Sequence, residues 1–138
     1  MERPLVYFIC TGNSCRSQMA EGFGRVALGD RAEVMSGGIE PSRVHPMAIR
    51  VMAEAGVDIS SHQSRPIDPA RLQSAAIAVT LCGDAEERCP LTPPHVRRLH
   101  WPLTDPAAAK GTEQEILSTF RSVRDEIRRR VAMLAQEL

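Results

Sequence analysis

Cys10 and Arg16 enclose five residues, Thr11, Gly12, Asn13, Ser14 and Cys15, all of them small or at home in a turn. A thiol and a guanidinium at that spacing can act together on an anion. Gly12 and Asn13 tolerate left-handed backbone, which lets successive N–H groups turn inward as a cradle for a tetrahedral oxyanion. Arg16 offers a planar fork of donors to two of the anion's oxygens, and a helix starting there adds positive potential. The same field lowers a thiol's pKa below its free value of about 8.5, so Cys10 is expected to react as a thiolate, with Ser17 donating to its sulfur. Cys15 cannot share the nucleophile's position and is assigned to loop packing or field tuning. The plain alternative, a buried strand-end cysteine beside a solvated arginine, fits poorly with the order strand, C-x5-R, helix.

Two more cysteines, Cys82 and Cys89, lie in "VTLCGDAEERCP" (79–90). A structural zinc site with Cys10 and Cys15 is one reading of the four thiols. Their C-x4-C and C-x6-C spacings match the usual zinc patterns poorly, and no metal is expected. In a reducing compartment four cysteines read as catalytic or redox-active rather than as permanent disulfides. Asp105 precedes Pro106, an ordinary way to start a turn. His45, His62, His95 and His100 show no ligand spacing and are read as surface or packing residues. Arg128, Arg129 and Arg130 are read as a solvated helix face.

These side chains need a scaffold. Leu5 to Ile9 is a short apolar run of β-formers, the pattern of a buried parallel strand. From Arg16, Met19, Ala20, Phe23, Val26 and Ala27 follow helical spacing up to Gly29. Ala32 to Ser36, Ala75 to Leu81 and Val96 to His100 are further strands. A helix from Pro46 ends near Gly56, and a long amphipathic one runs from about Thr112 with Ile116, Phe120, Val123, Ile127, Val131, Leu134 and Leu138 on one face. Pro90 to Pro94 and Ala107 to Gly111 read as loops. The alternation predicts an α/β domain, three layers with a central four-stranded parallel sheet between helices. Ligands of such sheets sit beyond the strands' carboxyl ends, which would bring the loops after Ile9 and Leu81 together.

The chain's 138 residues suit a single domain spanning 1–138, and nothing calls for an obligate oligomer, so a monomer is expected. Seventeen basic and 17 acidic residues cancel, which leaves no global field for nucleic acid or a membrane surface. No apolar run approaches a membrane span or a secretory leader, so a cytoplasmic location is expected.

The stretches "CTGNSCRSQMAE" (10–21), "VTLCGDAEERCP" (79–90), "HWPLTDP" (100–106) and "RSVRDEI" (121–127) together resemble the low-molecular-weight tyrosine phosphatase superfamily, and within it the thioredoxin-coupled arsenate reductase branch. The resemblance covers nearly the whole chain. It implies a low-molecular-weight phosphatase-like fold, with Asp105 as general acid. Phosphatases of this family flank the loop with aromatic rings; one Tyr, one Trp and three Phe supply such a clamp poorly, and a small oxyanion fits better: arsenate, with phosphate or sulfate as analogues.

Reducing arsenate takes two electrons, and the chain carries no flavin or nicotinamide fingerprint, so no bound cofactor is expected and a dithiol is the internal source. The resemblance implies that Cys10 attacks arsenic, Cys82 attacks the Cys10 sulfur, and Cys89 attacks Cys82, leaving a disulfide for thioredoxin. Were residues 82–89 helical when reduced, the two thiols would stand about 10 Å apart along the axis. A disulfide needs Cα atoms within about 7 Å, so the segment would have to unwind. Some relatives bind potassium at positions matching Asn13, Glu21 and Ser36 together with an acid where this chain has Arg65, whose charge argues against the ion. The alternatives are a low-molecular-weight tyrosine phosphatase, needing only Cys10 and Asp105, and a non-catalytic oxyanion or redox sensor.

Overall fold

The computed structural model describes residues 3–83 and 91–138. Four strands, β1 (Leu5–Cys10), β2 (Glu33–Gly38), β3 (Ile77–Cys82) and β4 (Arg97–Leu103), form one parallel sheet in the order β2-β1-β3-β4. Every residue of the inner strands β1 and β3 is buried, which is why both read as continuous apolar runs. Helices α1 (Arg16–Leu28), α2 (Pro46–Glu54), α3 (Pro69–Gln73) and α4 (Glu113–Glu137) complete the expected α/β fold.

Strand alternation sorts the core into two faces. Val6, Phe8 and Cys10 of β1 join Ile77, Val79 and Leu81 of β3 in the larger core, shared with α1, α2 and α4. Leu5, Tyr7, Ile9 and Ala78 point the other way, onto Leu72 of the short α3. Phe120 of α4 is fully buried, and its truncation to alanine would cost about 3–5 kcal/mol. Thr112 and Glu115 form a reciprocal capping box at the start of α4, and Leu117 rather than Leu138 completes its buried face.

The strands end later than the sequence pattern predicts. β1 continues through Cys10, β2 through Gly37 and Gly38, β3 through Cys82, and β4 through Trp101 to Leu103. Glycine and proline are poor strand formers, yet the ladder recruits them: Gly38 pairs with Cys10, and Leu103 with Cys82. Helix α3 escaped the pattern for being five residues long, although Asp68 caps it by accepting from Ala70 N and Arg71 N, with Pro69 in the first position. Pro106–Ala108 form a single 3-10 turn where a loop was expected. Gly29 does follow α1, but in right-handed conformation, so its stop is not a left-handed cap.

One irregularity bears on the site. Thr80 pairs with His100 but Cys82 pairs with Leu103, so Trp101 and Pro102 together stand opposite Leu81. This is a bulge in β4 at its carboxyl end.

Candidate active site

The loop Thr11–Cys15 joins β1 to α1 at the carboxyl end of the sheet. Its carbonyls are all engaged from outside: Thr11 O by Glu40 N (2.9 Å), Gly12 O by Ser42 N (3.3 Å) and Ser64 Oγ (3.0 Å), Asn13 O by Gln18 Nε2 (3.2 Å) and Ser14 O by His45 N (3.1 Å). In a trans peptide the next N–H points opposite to the carbonyl, so the N–H groups of Gly12, Asn13, Ser14 and Cys15 turn to the inner side. Asn13 alone takes the left-handed turn, at φ 47°, while Gly12 does not use its freedom. A further glycine matters more: a Cβ on Gly38 would lie 2.6 Å from Thr11 O and 2.8 Å from Asn13 N. That close approach had no signal in the sequence.

Inside the loop is a cavity of about 290 Å³ lined by Cys10, Thr11, Gly12, Ser14, Cys15 and Arg16, and closed by Glu40, Ser42, Asp105 and Ala107. No aromatic side chain is among them. The side chain of Cys15, the residue before α1, makes no cap bond, and the first turn holds no acid to compete with an anion.

Cys10 is buried, with its sulfur 2.9 Å from Ser17 Oγ. Ser17 Oγ accepts from Asn13 Nδ2 (2.8 Å), which leaves its own proton for the sulfur. Asn13 is expected to bind the oxyanion through its backbone, and its buried side chain is engaged outside the cavity: Nδ2 also donates to Ser36 Oγ (3.0 Å), and Oδ1 accepts from Arg65 N (2.8 Å) and Gln18 Nε2 (3.0 Å). Its amide pins the loop, and only its backbone is left to face an anion.

Arg16 is 2% exposed and ties the loop to the next two strands. Its Nη1 donates to Leu81 O (3.2 Å) and Leu103 O (2.9 Å), and Nη2 lies 3.8 Å from Asp105 Oδ2. Asp105 starts a turn, as expected of Asp before Pro, and also borders the cavity. Oδ1 caps the 3-10 turn by accepting from Ala107 N (3.0 Å), and the carboxylate lines the cavity.

The other thiols differ sharply. Burial pushes the Cys15 thiol up to about 12, so it stays protonated. Cys10 and Cys15 are free, whereas Cys82 is disulfide-bonded. Cys10 and Cys82 end adjacent strands, as expected, yet Cys82 does not line the cavity. Alternation explains this: Leu81 shares the face of Cys10, and Cys82 takes the other. Cys89 lies outside the described residues, as do residues 84–89 of the segment expected to unwind.

Behind the cradle lies a polar network drawn from α1, β2 and the loop around residue 62; the resemblance named Glu21 and Ser36 among its members, but not Gln18, Arg25 or His62. Ser36 Oγ donates to Glu21 Oε1 (2.6 Å), Arg25 Nε to Glu21 Oε2 (2.9 Å), and His62 Nδ1 to Gln18 Oε1 (3.0 Å). Burial lowers the His62 pKa against the pull of Glu21, which keeps the ring neutral. Glu21 and Ser36 are among the positions that the resemblance raised for a potassium ion. Arg65 lines the same small cavity as Glu21 and Ser36, and its charge does not fit a cation there. Among the described residues no cluster of three or more His, Cys, Asp or Glu side chains is arranged for a metal, and no helix is long and apolar enough to cross a membrane.

A parallel sheet with this cradle between its first strand and first helix defines a class. Residues 5–138 match the low molecular weight phosphotyrosine protein phosphatase family, and the chain belongs to it. Within that family it is 52% identical to an arsenate reductase of Bacillus licheniformis over 136 residues, which cover 99% of this chain and 98% of the relative. Among solved structures, an arsenate reductase in its phosphate-binding state superposes with a TM-score of 0.81 at 37% identity, covering 97% of this chain and 98% of the other. A thioredoxin-dependent arsenate reductase from Corynebacterium glutamicum gives a TM-score of 0.67 at 28% identity, covering 96% of this chain and 63% of that one.

Proposed function

We propose that the protein reduces arsenate to arsenite through a relay of three thiols, with electrons drawn from reduced thioredoxin in the cytoplasm. The observation that carries this reading is an oxyanion cradle around the free thiol of Cys10, at the same sheet end as a second cysteine, Cys82, engaged in a disulfide. Among the described residues the cavity walls carry no aromatic ring, which favours a small inorganic anion over a phosphotyrosine. The close arsenate reductase relatives point the same way.

In the proposed sequence the loop amides and Arg16 hold arsenate, and the Cys10 thiolate, steadied by Ser17, attacks arsenic. The S–As bond forms as hydroxide leaves with a proton from Asp105. The Cys82 thiolate then attacks the Cys10 sulfur. The S–As bond breaks, its electron pair stays on arsenic, and arsenic(V) departs as arsenite, leaving a Cys10–Cys82 disulfide. Cys89 attacks Cys82, frees the Cys10 thiolate and leaves a Cys82–Cys89 disulfide, which a thioredoxin dithiol reduces by exchange. The chain works as a monomer with no bound cofactor.

The test is arsenate-dependent NADPH oxidation in the presence of thioredoxin and thioredoxin reductase. Cys10→Ser, Cys82→Ser and Cys89→Ser should each abolish turnover. Parent-like turnover by the Cys82 and Cys89 variants would end the relay, and hydrolysis of p-nitrophenyl phosphate without arsenate reduction would make the protein a phosphatase.

A further inference from the structure

His100 is the histidine whose ring is fixed beside the resolving end of β3. Its Nδ1 lies 2.7 Å from Oγ1 of Thr80, a residue with no exposed surface, while the ring itself reaches solvent. Thr80 and Cys82 lie two apart on one strand and therefore share a face. On β4 that face belongs to His100 and Pro102, because Leu99 and Trp101 pack into the opposite core. The bulge moves Leu103 opposite Cys82, and its backbone closes on Gly83 so tightly that a Cβ there would meet Leu103 N and O at 2.5 Å. His100 thus stands diagonal to Cys82 across a parallel pair, at a Cα separation of about 8 Å, which an imidazole can span.

We propose that His100 is the proton acceptor for Cys82. This rests on the relay proposed above. With Nδ1 held by Thr80, Nε2 is the ring nitrogen left for the thiol. It takes the Cys82 S–H proton, and the thiolate's electron pair forms the bond to the Cys10 sulfur as the S–As pair remains on arsenic. When the Cys82 disulfide is later reduced, the imidazolium returns the proton to the departing Cys82 sulfur, so protons and electrons balance over the cycle. A thiolate, not a thiol, is the attacking species in disulfide exchange, and an adjacent imidazolium favours it. On the same face of β4 the other ionisable side chain is Arg98, while Ala78 and Thr80 of β3 are neutral. Arg98 stands opposite Ala78, four residues before Cys82 on β3, and cannot accept a proton.

The experiment uses the full chain with Cys10, Cys15 and Cys89 replaced by serine, so that Cys82 is the single thiol. Its rate of alkylation by iodoacetamide is followed from pH 5 to 10, with and without His100→Asn. Asparagine keeps a polar group for Thr80 and removes the atom in the Nε2 position. The expected result is about tenfold slower alkylation at pH 7 in the Asn variant, with equal rates above pH 9. In the four-cysteine protein, His100→Asn should slow arsenate turnover while phosphate still protects Cys10 from alkylation at the parent's concentration. Superposable pH profiles would overturn the assignment, and so would a weakening of phosphate protection that matched the loss of turnover, which is what a purely structural role predicts. Failure of the relay itself shows separately, as arsenate reduction by Cys82→Ser.

Discussion

At the scale of single residues, the cradle was legible in the C-x5-R spacing, because thiol, turn formers and guanidinium are local in sequence. What the side chains touch was less accessible. The side chain of Asn13, for one, is the bracket between Ser17, Ser36 and the backbone of Arg65, which leaves the backbone for the expected part in the cradle. Glu40 and Ser42 close the cavity from a connection nearly thirty residues downstream and carried no local signature. Asp105 is both turn cap and cavity carboxylate, and one substitution separates the two. Asp105→Asn keeps an oxygen for Ala107 N but offers no acidic proton, so arsenate turnover should fall about 100-fold or more while the melting temperature stays within about 2 °C. A stability loss in step with activity would reduce Asp105 to a turn residue. Ser17→Ala removes the hydroxyl beside the Cys10 sulfur and strips Asn13 Nδ2 of a buried acceptor. Slower Cys10 alkylation at pH 7 and about 1–3 kcal/mol of destabilisation in urea are expected; unchanged alkylation would count against its role at the sulfur.

Among elements, β1, β3 and α4 were the most legible, since their apolar periodicity is continuous and long. Their ends were less so, because ladder pairing overrides the poor strand propensity of Gly37, Gly38 and Pro102. Gly38 shows what such an end is for. Backbone from the β1–α1 loop fills the space a side chain would need, so Gly38→Ala should push the loop out and weaken phosphate binding at least tenfold by calorimetry. Parent-like binding would mean the loop yields without cost. Helix α4 is fastened at its far end by Arg31, whose Nη1 donates to Ala135 O and Leu138 O, both at 2.9 Å, while Nη2 reaches Ala27 O at the end of α1 at 3.1 Å. A cation closing two helix C-termini is worth about 0.3–1 kcal/mol at an exposed site. Arg31→Ala should lose that much in denaturant melts and speed amide exchange in the last turn of α4 alone; loss of protection across the sheet would contradict so local a function.

Taken whole, the molecule has no net charge, and its pH response comes from particular groups. His62 is held below the ordinary 6.5 by burial. The unfolded chain therefore takes up this proton first as pH falls below about 6.5, and stability declines until the folded ring titrates. Glu54, beside Arg121 and Arg124, and Glu126, beside Arg129 and Arg130, are drawn down to about 2. Their contribution is present above the unfolded value of 4.5 and fades towards pH 2, in the same direction. Melting temperature should thus fall in two stages on acidification, and His62→Gln should flatten the first, between pH 7 and 5; an unaltered slope would assign that stage to other groups. Potassium chloride should raise neither melting temperature nor turnover beyond matched sodium chloride, given Arg65 in the small cavity. The bulge near the end of β4 also has a mechanical meaning. Upstream of Thr80 a one-residue slip would turn the whole apolar set inside out, so the sheet is locked. Beyond it the pairing is already out of step and Pro102 offers no amide to the ladder. In the proposed relay such a junction would serve as an expansion joint, letting the Cys82 end shift during thiol exchange while the frame that shapes the oxyanion cradle keeps its alignment.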